Sequence, residues 1–117
     1  MARSKPRRKT KQLAVVQANI QLGVDLIALR NISASNRDFG CVVRTRYEID
    51  KPHAIACMQV ARMYGDNDVI INRMRWPALV ALASLSLAPG VRQQFERRII
   101  AGERIGAAEI RRARRWP

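Results

Sequence analysis

The chain has 117 residues, of which 48% are hydrophobic and only 5% aromatic, and its formal net charge is +13. This length suits one domain with a hydrophobic core and excludes two domains of ordinary size. Because the apolar residues are mainly aliphatic, rich in alanine and helically spaced, we predict an all-α fold. We expect five to six short helices with a central helix-turn-helix.

The positive charge is concentrated at the two ends of the chain. Residues 1–11 carry six basic and no acidic side chains, residues 12–102 are net +4, and residues 103–117 are net +3. This distribution indicates a polyanionic partner, because each neutralised phosphate releases counterions. An anionic membrane surface is the rival polyanion. We expect no membrane partner, because neither tail resembles a basic amphipathic helix with bulky apolar anchors.

Several classes of protein are disfavoured by what the sequence lacks. It has no uninterrupted run of about 18 apolar residues, so we expect no transmembrane helix, and the basic N-terminus does not resemble a secretory signal. We therefore expect a cytoplasmic protein, either nucleoid-associated in a bacterium or encoded by a phage or plasmid. Nucleotide-binding, hydrolase and metalloprotease motifs are missing, so we expect no enzymatic activity and no cofactor.

The two cysteines, Cys41 and Cys57, do not predict a metal site. They are widely spaced and the chain has a single histidine, which does not match the ligand spacing of a zinc site. We expect both to be small buried side chains in a reducing compartment.

The N-terminal segment, MARSKPRRKTK, is predicted to be a disordered arm over residues 1–11, because it offers almost nothing to bury. Arms of this kind lie along phosphates or enter a minor groove, and the candidate contacts here are Arg7, Arg8 and Lys9. The alternative is a solubilising tail. Residues 12–114 would then form a single helical domain and residues 115–117 a C-terminal tail.

The first predicted helix spans residues 12–31 and carries two apolar stripes. One stripe consists of Leu13, Val16, Ile20, Val24 and Ile27. The other consists of Val15, Leu22, Leu26 and Leu29. Two stripes indicate burial on more than one side. Either this is a central core helix, or it packs on the domain and also on a partner subunit in a homodimer.

A helix pair over residues 36–47 and 51–64 is the centre of the prediction. Ser35 and Asp50 are candidate N-caps, Pro52 is tolerated in a first turn, and Gly65 ends the second helix. The corner residue Ile49 is expected to be buried. Two short helices joined in this way have the outline of a helix-turn-helix, whose second helix reads the major groove.

Candidate DNA contacts lie on both helices of the pair. On the second helix Lys51 and His53 are near the start, Gln59 could pair with an adenine edge, and Arg62 with guanine or a phosphate. Arg37 and Arg44 share one face of the first helix and suit phosphates. Each of these side chains, taken alone, also fits a solvated helix face.

The remainder of the chain is predicted to complete the helical core. Residues 65–76 form a connector in which Asn67 or Asp68 caps a short helix and Arg73 and Arg75 add positive charge. A buried central helix follows over residues 77–87, and an amphipathic helix over residues 91–101. The last helix, residues 107–114, ends in a second basic cluster of candidate phosphate contacts: Arg111, Arg112, Arg114 and Arg115.

From the helix pair onward the order of features resembles the helix-turn-helix region of the ParB/KorB family of partition proteins. The segment LAPGVRQQFERRIIAGERIGAAEI, residues 87–110, is similar to the helices that follow the pair there. The chain also resembles small plasmid-, phage- and island-borne proteins over roughly residues 20–112. The resemblance implies that Lys51, His53, Gln59 and Arg62 lie on a recognition helix. The nucleotide-binding region of ParB has no counterpart here, so CTPase or clamp activity is not implied.

Together these features predict a sequence-specific double-stranded DNA-binding protein. Its expected role is a transcriptional regulator or a maintenance factor of a plasmid, phage or other mobile element. Two alternatives stay open. One is an RNA-binding or ribosome-associated basic protein, against which the scarcity of aromatic residues argues. The other is a protein inhibitor that acts on a nucleic-acid-binding enzyme.

Overall fold

The computed structural model describes the backbone of residues 7–115 and the side chains of residues 11–114. Within these residues the chain is all-helical, as predicted, and it has seven α-helices, more than the five to six expected. They are α1 (Arg7–Ile32), α2 (Asn36–Arg46), α3 (Lys51–Tyr64), α4 (Asp68–Arg73), α5 (Trp76–Leu82), α6 (Pro89–Ile100) and α7 (Ala107–Arg115).

Helix α1 is 26 residues long and begins at Arg7, inside the segment expected to be an arm. Residues 1–6 lie outside the described part of the chain. Lys11–Ile32 is long and apolar enough to cross a bilayer by length and composition alone. Such a helix is not expected from the sequence. A core helix of a soluble protein and a signal sequence near an N-terminus meet the same criterion; 17% of the apolar window is buried in this fold, and Val16, Ile20 and Leu26 are the buried apolar side chains among the described residues of α1.

Three helices begin at the N-caps that the sequence predicts. The Ser35 hydroxyl accepts the N–H of the third residue of α2 at 3.1 Å. The Asp50 carboxylate accepts the corresponding N–H of α3 at 2.8 Å, and the Asn67 side chain does the same for α4 at 3.2 Å. Each cap satisfies a backbone donor that the helix itself leaves free, which fixes where the helix starts.

Helix α3 joins the two hydrophobic clusters of the core. Ala54 and Met58 pack with Leu26 of α1 and Val43 of α2 in the smaller cluster. Val60 and Tyr64 of α3 belong to the larger cluster, which otherwise consists of residues from α1, α4, α5, α6 and α7 and the segments between them. The buried residues of α3 are Ala54, Cys57, Met58, Val60 and Tyr64.

The crossing of α1 and α3 is closest at Gly23. A Cβ atom built at this position would lie 2.2 Å from the carbonyl oxygen of Cys57 and 2.9 Å from the Cβ of Ala61. Ordinary carbon contacts are about 3.5–4.0 Å. Glycine is therefore required at this position for α1 to approach the backbone of α3.

The corner between α2 and α3 is formed by residues 47–50. Ile49 packs against the smaller cluster and is half-buried there. Glu48 has a φ of 54°, in the left-handed region that favours glycine, at a cost of about 1–2 kcal/mol for other residues. The chain reverses here through a strained non-glycine residue.

The helix predicted over residues 77–87 is shorter in the structure, where α5 ends at Leu82. The guanidinium of Arg92 donates to the carbonyl oxygens of Leu82 at 2.8 Å, Ser84 at 2.7 Å and Leu87 at 3.1 Å. Because this side chain from α6 satisfies those acceptors, the helix need not continue. Leu85 is 78% exposed in the resulting turn. Arg92 is accordingly half-buried against this turn.

Two expectations about apolar side chains are also corrected. Val24, assigned to a buried stripe of the first helix, is 47% exposed, and Val15 of the other stripe is 53% exposed. Cys41 is exposed on α2, whereas Cys57 is buried as expected, and both thiols are free. Burial raises the pKa of the Cys57 thiol to about 11.

The C-terminal end of α3 is tied to α6 by a side-chain hydrogen bond. The hydroxyl of buried Tyr64 donates to the Glu96 carboxylate at 2.6 Å. Burial, followed by this bond to a carboxylate, raises the pKa of Tyr64 above its ordinary value. The pair fixes α3 at its C-terminal end, while the Asp50 cap fixes its start.

Candidate nucleic-acid interface

The outward face of α3 is formed by side chains spaced three or four residues apart. Ile55 and Arg62 are exposed, and Gln59 between them is half-buried. The inward positions are occupied by the residues that anchor α3 in both clusters, so the outward set is not needed for packing. The solvent-facing side of α3 is thus the side that the sequence predicts.

This face forms one wall of a groove of about 400 Å³. The other walls are the C-terminal part of α5 with the turn that follows, and α7. The lining residues are Lys51, Pro52, Ile55, Ala56, Gln59, Val80, Ala81, Ser84, Arg111 and Arg114. Two groups of predicted contacts meet in this groove: Lys51 and Gln59 on α3, and two arginines on α7. The two groups are more than fifty residues apart in sequence.

Ion pairs and a buried side chain position α7 beside this groove. Arg98 of α6 contacts Glu103 at 3.0 Å and Glu109 at 2.9 Å. The hydrogen bonds to Glu103 and then Glu109 raise the pKa of Arg98. Ile110 of α7 is fully buried in the larger cluster. Because Ile110 points inward, its neighbour Arg111 lies on the groove side of the helix.

Arg114 is held at the open end of the groove. Its guanidinium lies 3.5 Å from the hydroxyl oxygen of Ser84 and 3.3 Å from that of Ser86. These contacts are long and use one nitrogen, Nη1, so most of the five N–H donors of the guanidinium stay free for an anion. Arg111 and Arg112, one turn earlier, are exposed, and with Arg114 they line a second depression of about 370 Å³.

Helix α2 presents Arg37 and Arg44 to solvent, as predicted. The two residues are seven positions apart and therefore lie on one side of the helix. Ser35 fixes the start of this helix, and Val43 anchors its inward side in the smaller cluster. The arginines are consequently carried on a fixed support next to α3.

Arg73 has a structural role that the sequence does not predict. Its Nη1 donates to the carbonyl oxygens of Ile99 at 3.0 Å and Ile100 at 2.6 Å, at the C-terminal end of α6. Cations are favourable at this end of a helix, where carbonyl groups have no partner within the helix. Arg75 is exposed at the start of α5 and lies outside the groove lining.

His53 also differs from the other predicted contacts on α3. Its ring is half-buried, with Nε2 3.5 Å from the Cys57 sulfur and the ring edge-on to Trp76 at 6.3 Å. The imidazole therefore packs against the protein, while Lys51 and Gln59 line the groove. Arg7, Arg8, Lys9 and Arg115 lie in helical backbone, but their side chains are outside the described part of the structure.

Two features of the interface were missed at the level of sequence. Ile55 is not among the predicted contacts, yet it is 43% exposed and lines the groove. The approach of α7 to α3 was not predicted, because it depends on contacts between distant residues. The signal for Ile55 was present in the helical spacing, since it lies one turn before Gln59.

The described residues include no group of three or more His, Cys, Asp or Glu side chains that could hold a metal ion. Comparison with protein-family models, with curated proteins and with solved structures gives no significant match to this chain. The function is therefore inferred from the geometry of the groove and from the charge of the chain.

Proposed function

We propose that this protein binds double-stranded DNA in a sequence-specific manner through a helix-turn-helix formed by α2 and α3. The support is a helix pair with a four-residue corner, residues 47–50, a half-buried corner residue and a second helix whose outer face is open to solvent. Helix-turn-helix units have short corners of this length, and the N-terminal residues of their second helix contact base edges.

The observation that carries the proposal is the shared groove between α3 and α7. Lys51, Arg111 and Arg114 place three cations in the groove that Gln59, just past the middle of α3, also lines with its amide. Amides match adenine edges in the major groove, while arginine and lysine bind the phosphates that border it. A side chain that can read a base edge, in one groove with three cations, suits a duplex, whose base edges lie between two rows of phosphates.

The remaining contacts would extend along the DNA backbone. Arg37 and Arg44 of α2 are proposed to bind phosphates on one side of the reading helix, and the charge at the chain termini adds attraction of longer range. His53 and Arg73 are left out of the proposed interface, because their side chains contact the protein itself. A role in regulating or maintaining a mobile element, as the ParB/KorB resemblance implies, is part of this proposal.

A homodimer through α1 is also part of the proposal. Along this helix Val15, Val24 and Ile32 are exposed, the last at 82%. Dimeric helix-turn-helix proteins bind two half-sites about one helical turn apart. Sedimentation equilibrium of the wild-type chain and of Val24→Glu tests this. A wild-type protein that is monomeric at micromolar concentration would contradict the proposed dimer but not the proposed DNA binding.

The first test is a salt titration of binding to fluorescein-labelled duplex by anisotropy. We expect affinity to fall steeply as salt rises, with each phosphate contact contributing about 0.9 to the slope of log K against log salt. Arg111→Ala/Arg114→Ala should reduce that slope by about two. The matched control is Arg97→Ala with Arg104→Ala, which removes the same charge from exposed positions outside the groove lining.

The titration can contradict the proposal in two ways. Binding that does not respond to salt would rule out a phosphate-dominated interface. Equal losses in the groove variant and in its control would mean that net charge, and not the groove, determines affinity. Competition with double-stranded and single-stranded RNA of the same sequence decides between DNA and RNA, since the proposal requires duplex DNA to compete best.

Sequence preference is tested separately by selecting bound duplexes from a random library. Gln59→Ala/Arg62→Ala should relax the preference at the positions read by α3 while general affinity is largely kept. An unchanged preference in this variant would exclude α3 as the reading helix.

A further inference from the structure

Ile55 is a large apolar side chain exposed at the centre of the candidate interface. It is 43% exposed and lies one helical turn before Gln59, in the N-terminal half of α3. The same groove is lined by Lys51, Arg111 and Arg114. A partner that covers Ile55 also comes close to these three positive charges. It must therefore offer an apolar group to Ile55, with negatively charged groups around it that form an anionic frame.

We infer that Ile55 and Gln59 read adenine–thymine pairs in the major groove, with Ile55 against the C5-methyl group of thymine and Gln59 on adenine. This inference rests on the proposed DNA-binding function and names its substrate class. Among the four bases, only thymine displays a methyl group in the major groove, and a Gln side chain matches N6 and N7 of adenine. The phosphates beside these edges supply the anionic frame.

The spacing of the two residues sets a geometric requirement on the site. Four residues along a helix advance about 6 Å, and successive base pairs are about 3.4 Å apart. Ile55 and Gln59 therefore fall within about two base-pair steps of one another. The expected site contains a thymine and an adenine at that separation, on the same strand or on opposite strands.

The test begins with duplexes selected by the full-length protein from a random library. In the best-bound duplex each thymine is replaced in turn by deoxyuridine, which removes only the C5-methyl group. Gln59→Ala should lose the preference for one adenine in the site. At one thymine within about two base-pair steps of that adenine, we expect deoxyuridine to lower the affinity of the wild-type protein about fourfold. That factor corresponds to the loss of one buried methyl group at about 0.8 kcal/mol.

Three protein variants identify the side chain that senses the methyl group. Ile55→Ala should bind the thymine and deoxyuridine duplexes equally, whereas Ile55→Val, which keeps a branched apolar side chain, should retain most of the difference. Leu85→Ala is the matched control, because it truncates an exposed apolar residue outside the groove lining, and it should behave as wild type. Circular dichroism verifies that each variant is folded.

The outcomes separate this inference from the function on which it rests. Selected duplexes that lose no affinity with deoxyuridine at any position overturn the reading by Ile55 and leave sequence-specific binding intact. An Ile55→Ala variant that still discriminates the two duplexes has the same consequence. A library that yields no preferred sequence overturns the inference and reduces the function to non-specific binding. If the protein retained an acidic protein and not duplex DNA, both the inference and the proposed DNA-binding function would be overturned.

Discussion

Replacing Gly23 by alanine tests the close approach of α1 to α3. The added Cβ would lie 2.2 Å from the Cys57 carbonyl oxygen and 2.6 Å from its carbon. Both atoms belong to the backbone of α3, so the clash cannot be relieved by rotating a side chain. The two helices must move apart by about 1 Å to reach ordinary contact distance.

The expected cost follows from two opposing effects. Alanine stabilises a helix interior by about 0.8–1.0 kcal/mol relative to glycine. Forcing extra volume into a packed interface costs about 1–3 kcal/mol, and a clash with backbone belongs at the upper end. A net loss of about 2 kcal/mol in the free energy of unfolding is expected, which lowers the melting temperature by about 8 °C in a domain of this size.

Gly40 provides the matched control. It also lies inside a helix, α2, but a Cβ there has as its nearest neighbour the flexible guanidinium of Arg44, at 3.9 Å. Gly40→Ala should therefore show only the helix-propensity gain and raise the free energy of unfolding by about 0.5–1 kcal/mol. Urea denaturation monitored by circular dichroism measures both variants. A stabilised Gly23→Ala would refute the close approach of α1 to α3.

Four further predictions concern the corner, the end of α5 and the thiols. Glu48→Gly should raise the free energy of unfolding by about 1 kcal/mol, because glycine adopts positive φ without strain; no gain would mean that the corner is relaxed. Arg92→Ala should lower it by about 2–3 kcal/mol through loss of donors to the carbonyls after α5, whereas Arg97→Ala on the same helix should change it by less than about 0.5 kcal/mol. A thiol reagent at neutral pH should modify Cys41 in the folded chain and Cys57 only after unfolding, and mass mapping distinguishes the two. Since the pKa of Cys57 rises from 9.0 to about 11 on folding, stability should decline as pH rises through that interval, where the unfolded chain loses the proton first; a flat profile would contradict this.

The sequence predicted those parts of the fold that depend on local chemistry. The starts of α2, α3 and α4 follow from one side chain each, Ser35, Asp50 and Asn67, because a capping hydrogen bond involves residues three positions apart. These features require no knowledge of what lies across the molecule.

The errors occurred where a distant residue determines the local structure. The helix over residues 77–87 looked continuous because its composition is apolar, but Arg92 satisfies the carbonyls at its end and exposes Leu85. Val24 matched an apolar stripe, yet its side chain is 47% exposed. The groove itself depends on α7 lying against α5, which periodicity within one helix cannot reveal.

The placement of α3 across both core clusters separates two properties of this protein. Inward side chains such as Ala54 and Tyr64 belong to the core clusters, while Ile55 and Arg62 on the opposite side are exposed. The outer positions can therefore be exchanged as a set at small thermodynamic penalty. A different set of side chains could therefore be introduced on the outer face of α3 to change what the protein binds. Such a redesign would involve a single helix and would leave the core unchanged.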